Sequence, residues 1–280
     1  MSRLFPAYFW RRSAAQAHRL GLDRLYLILS FDCDTPEDID AVLRMEPYLK
    51  GHGIKTTYAV PGALLERTPD AYRGLAEGGA DFINHGARPH AEYRGGRYWS
   101  VNFYDRMTPA EVVEDIRAGH EIVTRVAGRA PRGFRAPHFG SFQSPAQLEL
   151  QYRTLVELGY VYSTSTVPRF GFERGPAWNA GEIVEIPLSG SMRRPLTVLD
   201  SWGHVISPHT PQVQASYAEA FMETVAFFLA DGSPGCLNYY ADPSHVYPSD
   251  PFEKVVNFLV EQKVQTLHYE DLLALVAASL

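Results

Sequence analysis

Cysteine is nearly absent from this 280-residue sequence, which has only Cys33 and Cys236. Two cysteines this far apart provide neither a disulfide framework nor a CxxC metal or redox pair, so both read as small buried hydrophobes. Also missing is any unbroken apolar run long enough to span a bilayer. There is no excess of positive charge: 26 Lys and Arg face 32 Asp and Glu, giving a net charge of −6 and a pI near 5.9. That balance offers no general attraction to phosphate backbones, and nucleic acid is not an expected partner. Arg11-Arg12 is followed by Ser-Ala-Ala-Gln-Ala-His-Arg, without the continuous apolar core of a signal peptide, so a soluble, cytoplasmic protein is expected. Phe5, Tyr8, Phe9 and Trp10 either pack an N-terminal arm against the body or touch a membrane surface or a lipid-linked ligand.

What is present is an ordinary globular composition, 45% hydrophobic and 21% charged, in a chain long enough for a large core. No linker, repeat or low-complexity stretch divides it, which predicts one domain over 1–280 with 1–24 as an arm. Leu25 to Phe31 is a short apolar run of the kind buried on both faces of a parallel sheet. Comparable runs recur at Ile54 to Val60, Ala80 to Asn84, Gly133 to Ala136, Tyr160 to Ser165, Ile183 to Leu188, Thr197 to Ser201, Cys236 to Tyr240 and Val264 to His268. Between them lie helix starts: Thr108-Pro109-Ala110-Glu111 and Ser144-Pro145-Ala146-Gln147 each write a capping box with proline at the first helical position. Asp250-Pro251 and Thr210-Pro211 repeat the cap and proline, while Gly128 and Gly159 stand where such helices should stop. Strands alternating with capped helices predict an α/β fold with a mainly parallel sheet. Pro168 to Gly181 reads as a long surface loop. Ala91 to Met107 reads as an aromatic insertion whose Tyr93, Tyr98, Trp99, Phe103 and Tyr104 either stack on a ligand or fill the upper rim.

Three clusters carry chemistry. Asp32 and Asp34, two apart at the end of the first strand, share one face and offer two carboxylates to one site, although strand-end aspartates also cap helices. After the third strand, His85 and His90 flank a tight turn and with Asp34 make an Asp-His-His set, a facial arrangement that leaves coordination positions open. At the fourth strand end, Arg135 in Phe134-Arg135-Ala136-Pro137-His138 either pairs with Asp32 and aims it or makes a surface ion pair.

Together these clusters resemble the polysaccharide deacetylases, the NodB-like proteins of carbohydrate esterase family four. Ser30-Phe31-Asp32-Cys33-Asp34 is similar to that family's first motif, Asn84-His85 through His90 to its paired-histidine motif, Arg135-Ala136-Pro137-His138 to its Arg-x-Pro-aromatic motif, and Glu182 to Leu188 to the segment before its fourth. The resemblance runs from about residue 25 to the C-terminus. It implies a distorted (β/α) barrel of about seven parallel strands and a divalent metal, most often zinc, on Asp34, His85 and His90. Asp32 would be the catalytic base and the backbone N–H near His138 an oxyanion donor. The sequence departs from the family at three places. His85 and His90 are five apart rather than four, so either the turn bulges or one histidine is not a ligand. His138 stands where the family has tyrosine. The fifth motif becomes Tyr240-Ala241-Asp242-Pro243-Ser244-His245, which leaves His245 as the expected general acid and Asp242 as its orienting group, or as the acid itself if burial raises its pKa. His204, in Asp200-Ser201-Trp202-Gly203-His204, is a reserve candidate for substrate contact, as is Trp99.

The implied reaction is hydrolysis of an N-acyl group, acetyl or formyl, from an amino sugar. A cytoplasmic location would favour a nucleotide- or lipid-linked precursor of a surface glycan, such as an O-antigen or lipopolysaccharide. Two other readings stay open: a metal-free or differently metallated hydrolase of cyclic amides or ureides, and a degenerate barrel that binds saccharide without catalysis.

Overall fold

A computed structural model describes residues 6–280, so Phe5 lies outside the described residues. The central strand β1 (Leu25–Asp32) is buried along its whole length, as its uninterrupted apolar run requires. It is followed by β2 (Thr56–Val60), β3 (Asp81–Asn84), β4 (Gly133–Phe134), β5 (Tyr162–Ser163), β6 (Trp178–Ala180), β7 (Ile183–Glu185), β8 (Gly235–Ala241) and β9 (Gln265–Thr266). Across the sheet the order is β8-β1-β2-β3-β4-β5-β7-β6, with β9 on the start of β1. The seven neighbours from β8 through β7 are all parallel, and only β6 runs antiparallel. The result is the α/β class and the curled, distorted barrel expected from the sequence. Strand pairing does not join β7 to β8. The segment after β7 bridges the gap, with Ser189 N–H donating to the Asn238 carbonyl at 2.9 Å and Asn238 N–H to Ser189 Oγ at 3.0 Å.

The strongest helix signals are realised. Thr108 and Ser144 close capping boxes with Glu111 and Gln147 at the starts of Pro109–Ala127 and Pro145–Glu157, and Gly128 ends the first in the left-handed conformation. Four expectations need correction. The cap of the helix Asp250–Glu261 is Ser249, whose hydroxyl accepts the Phe252 N–H, so Asp250 is already in the first turn. Thr210-Pro211 opens no helix; it begins a strand, Thr210–Val213, paired with Val205–Ser207, and the helix starts at Ala215. Thr197 to Ser201 is no barrel strand, because Arg194–Val198 pairs antiparallel with Gly190–Ser191 outside the main sheet. Finally, 168–181 is not a surface loop: it contains the helix Pro168–Arg174 and β6, and it buries Phe170, Phe172 and Trp178. Its glycines and prolines masked an aromatic pattern that pays its way only in tertiary packing.

The N-terminal helix Pro6–Arg19 lays Trp10 against Phe172 and Phe228, leaving Tyr8 exposed. Strand alternation decides which residues face the barrel interior. Along β1, Leu27, Leu29 and Phe31 join the core beneath the outer helices, whereas Tyr26 and Ile28 belong to a separate inner cluster. Ser30, Asp32 and Asp34 keep the inner parity. Ile83 shares that inner cluster and sets the parity of His85, and Cys236 sets that of Asn238, Tyr240 and Asp242.

Close backbone packing fixes the third-strand turn. A Cβ on Gly119, in the helix Pro109–Ala127, would lie 2.7 Å from the Gly86 carbonyl carbon and 2.8 Å from its oxygen. Gly119→Ala is therefore expected to lower stability by about 1–3 kcal/mol through overpacking, read as a reduced denaturant midpoint. An unchanged midpoint would show that the turn yields freely.

Candidate active site and metal centre

Arg135 sits immediately after β4, wholly buried inside the barrel. Its Nη1 donates to Asp32 Oδ1, while Nη2 donates to Ser30 Oγ at 2.8 Å and to the Tyr269 hydroxyl at 2.5 Å. Tyr269 O–H in turn reaches Asn238 Oδ1 at 2.8 Å. Burial disfavours the guanidinium charge, but the Asp32 carboxylate more than offsets it and Arg135 stays ionised. For Asp32, burial dominates: with Asp34 adding like charge and Arg135 opposing, its pKa rises to about 6.

The turn after β3 is shaped by Asn84, whose Oδ1 accepts the Gly86 N–H at 2.9 Å, and by Asp115, which accepts the Arg88 N–H at 2.9 Å and the Tyr104 hydroxyl at 2.7 Å. Gly86 takes a φ of 79° that an L side chain rarely adopts. The turn brings both imidazoles together, their centroids 4.3 Å apart. His85 Nδ1–H donates to the Arg135 carbonyl at 2.8 Å, which leaves the Nε2 lone pair facing Asp34 Oδ1 at 3.6 Å and Asp32 Oδ2 at 3.7 Å. Burial, reinforced by His90, holds His85 well below the usual histidine range and so neutral. His90 Nδ1 lies 3.1 Å from Asp34 Oδ1, and its Nε2 is buried without a partner. Burial would raise the Asp34 pKa, but the imidazoles of His90 and His85 outweigh it and hold the carboxyl below its ordinary range.

A cavity of about 110 Å³ lies over these groups, walled by Tyr98 and Trp99 on one side and by Phe139, Trp202 and Tyr240 on the other. The aromatic insertion is therefore an antiparallel hairpin, Ala91–Arg94 with Arg97–Ser100, and Trp99 does face the site. His138 adopts a φ of 55°, and its Nε2–H donates to the Val101 carbonyl at 2.7 Å at the hairpin's base. Its backbone N–H has no acceptor among the described residues.

Asp242 and His245 lie beside this site but behind its wall. Asp242 accepts from Ser201 Oγ at 2.7 Å and from Trp202 Nε1 at 3.1 Å, and Ser201 Oγ also meets His245 Nδ1 at 3.1 Å. Burial lowers the His245 pKa to about 4, whereas burial together with the like charges of Asp34 and Asp38 pushes Asp242 well above the carboxylate range. Burial thus shifts the two groups in opposite senses, the carboxyl toward holding its proton and the imidazole toward losing it. His204 is held by Ser216 Oγ at 2.9 Å and is not among the residues that line the cavity.

No curated protein matches the sequence. Residues 22–155 match the family described as polysaccharide deacetylase. That match covers just under half of the chain, and it supports a hydrolase acting on amide bonds of acylated carbohydrate. Its fold is similar to that of a Mycobacterium smegmatis protein classed as a polysaccharide deacetylase, with a TM-score of 0.67 at 18% identity over 91% of each chain. It is also similar to the PuuE allantoinase, with a TM-score of 0.65 at 14% identity over 91% of each chain. The polysaccharide deacetylase Bc1974 of Bacillus cereus gives 0.53 at 15% identity, over 88% of this chain and 93% of that one.

A divalent ion of the kind this superfamily implies suits the donor set. Ligand atoms of Asp34, His85 and His90 lie within 4.8 Å of one another, near the roughly 3.4 Å edge that ~2.1 Å ligand bonds give in a tetrahedron. The His85 tautomer is fixed by a backbone carbonyl, as metal-binding histidines usually are, and His90 offers an orphaned buried nitrogen. Sequence reasoning missed Ser30, Tyr269, Ser201 and the wall residues Phe139 and Tyr240. Ser30, Ser201 and Tyr240 lie inside motifs legible in the sequence and Phe139 directly follows one, whereas Tyr269 lies in none of them. Asp34→Ala is expected to weaken zinc binding by at least about 10-fold without unfolding the protein, measured by competition with a chromophoric chelator. Unchanged affinity would exclude Asp34 as a ligand.

Proposed function

We propose that the protein is a metal-dependent deacylase that removes an acetyl or formyl group from an amino sugar on a nucleotide- or lipid-linked precursor made in the cytoplasm. The observation that carries this reading is the convergence of the Asp32–Arg135 ion pair with the donors of Asp34, His85 and His90 at one end of the barrel. A divalent ion, zinc being the simplest choice, would supply Lewis-acid polarisation of the acyl carbonyl and make water more acidic.

The chain's own residues do the rest. Asp32, with a pKa near 6, is mostly ionised at neutral pH yet still basic enough to take the proton of the attacking water. Arg135 fixes its orientation through a bond that Ser30 and Tyr269 hold from behind. The free N–H of His138 is placed for the tetrahedral oxyanion. Asp242 and His245, joined by Ser201 just behind Trp202 and Tyr240, are the pair from which a proton would pass to the departing nitrogen, and burial favours the carboxyl as its holder.

A second reading has a specific observation behind it. The cavity over the donors is small, and opening a cyclic amide or ureide needs the same water activation. The products separate the two: a linear N-acyl substrate releases a carboxylic acid, whereas ring opening releases none.

Asp32→Asn is expected to reduce kcat at least about 1,000-fold while zinc content stays constant; retained turnover would remove Asp32 from its role. Asp242→Asn should cost kcat more than His245→Gln, on the order of 100-fold. The opposite ranking in steady-state kinetics would return the proton to the imidazole.

A further inference from the structure

We infer that the substrate enters end-on, so that only a free acylated sugar or one at the terminus of a larger molecule reaches the catalytic groups. This rests on the deacylase reading above and adds the substrate class. The evidence is a ring of two hairpins beside the mouth of the site, closed through one side-chain hydrogen bond. One arm is the 91–100 hairpin, rooted beside the metal ligands: Val101 N–H donates to the His90 carbonyl at 2.8 Å, and Tyr98 O–H to Glu37 at 2.6 Å. The other arm is the 205–213 hairpin, rooted on the opposite side, where Gln212 Nε2 donates to the Ser244 carbonyl at 2.7 Å, next to His245. The two tips meet: His209 Nδ1–H donates to the Gly96 carbonyl at 3.1 Å.

The dimensions enforce the same restriction. The chamber of about 110 Å³ is well below the roughly 300–1,000 Å³ of clefts that hold drug-sized ligands, and at ~30 Å³ per water it has room for an acyl group and little more. A second cleft of about 540 Å³ shares Asp34, Ala91 and Tyr98 with the chamber and opens toward Glu37, Arg67 and Tyr93. The body of the substrate lies there. An interior residue of a polymer has chain leaving on both sides, and a ring joined at its tips cannot admit it sideways. A terminal residue has chain leaving on one side only and can be inserted.

The test uses the zinc-loaded full chain with N-acetylglucosamine, its short oligomers and their N-formyl counterparts, locating each new amine by tandem mass spectrometry. The expected result is amine on the monosaccharide and on terminal residues only. Interior amines among the first products would overturn end-on entry and leave the deacylase reading standing. No acyl release from any of these compounds would sink that reading and this inference with it. His209→Ala should raise the ratio of interior to terminal product at least about five-fold, with the monosaccharide rate unchanged, and His209→Gln, which keeps a donor, should restore it. A ratio identical in all three proteins would overturn the role of the tip contact.

Discussion

The buried pairing of Arg135 with Asp32 is the constraint on which the rest of the site depends. An ion pair with almost no solvent contact is costly to assemble, and breaking one by removing a partner typically costs about 3–5 kcal/mol. The barrel offsets that cost by filling its interior with polar groups aimed at the guanidinium: Ser30 from β1, Tyr269 from the C-terminal helix and, through Tyr269, Asn238 from β8. Phe139 and Tyr240 cover its outer side, 5.5 and 5.7 Å from the guanidinium carbon. The charge is therefore fixed in place, and Asp32 with it.

Strand parity extends this arrangement to the metal donors. Because Asp32 and Asp34 share a face, the residue that answers Arg135 and the residue that answers the histidines are presented from one strand end. Arg135 also serves the metal side directly, since its carbonyl sets the His85 tautomer. Asp32 and His85 are thus held by the same residue through two different atoms. Electrostatics then separates the four carboxyl groups of the region. Burial raises Asp32 and Asp38 to about 6 each and pushes Asp242 well above its ordinary value, while the imidazoles hold Asp34 low. Asp38 has a structural part in this: its two oxygens accept from Thr35 N–H and Ser244 N–H at 2.8 and 2.9 Å, tying the β1 loop to the loop that carries Asp242.

The barrel holds the candidate site, and a hairpin outside the main sheet helps to wall it. The candidate site rests on strands and their immediate turns, where packing leaves little freedom, whereas Ala91, Tyr98, Trp99 and Ser100 of the chamber wall come from the 91–100 hairpin. Trp99 and Trp202 both line the cavity while 46% and 38% exposed. Such a division lets the mouth change without disturbing the ion pair beneath it.

By itself the sequence determined the local and periodic features. The apolar run of β1, the capping boxes at Thr108 and Ser144 and the short-range motifs around Asp32, Asp34, His85, His90 and Arg135 are written in neighbouring residues, and each is stabilised by contacts that neighbours can make. Tertiary structure alone decided which distant groups meet. Tyr269 supports Arg135 from 134 positions away, Ser201 joins Asp242 to His245 from 41 and 44 away, and His209 reaches Gly96 from 113 away. It also decided that Thr210-Pro211 starts a strand and that the 168–181 stretch packs inward, because burial against partners far along the chain outweighed local propensity. The same burial pushes the Asp242 pKa up and the His245 pKa down, since the desolvation and like-charge repulsion that set a pKa exist only once the barrel has closed around them.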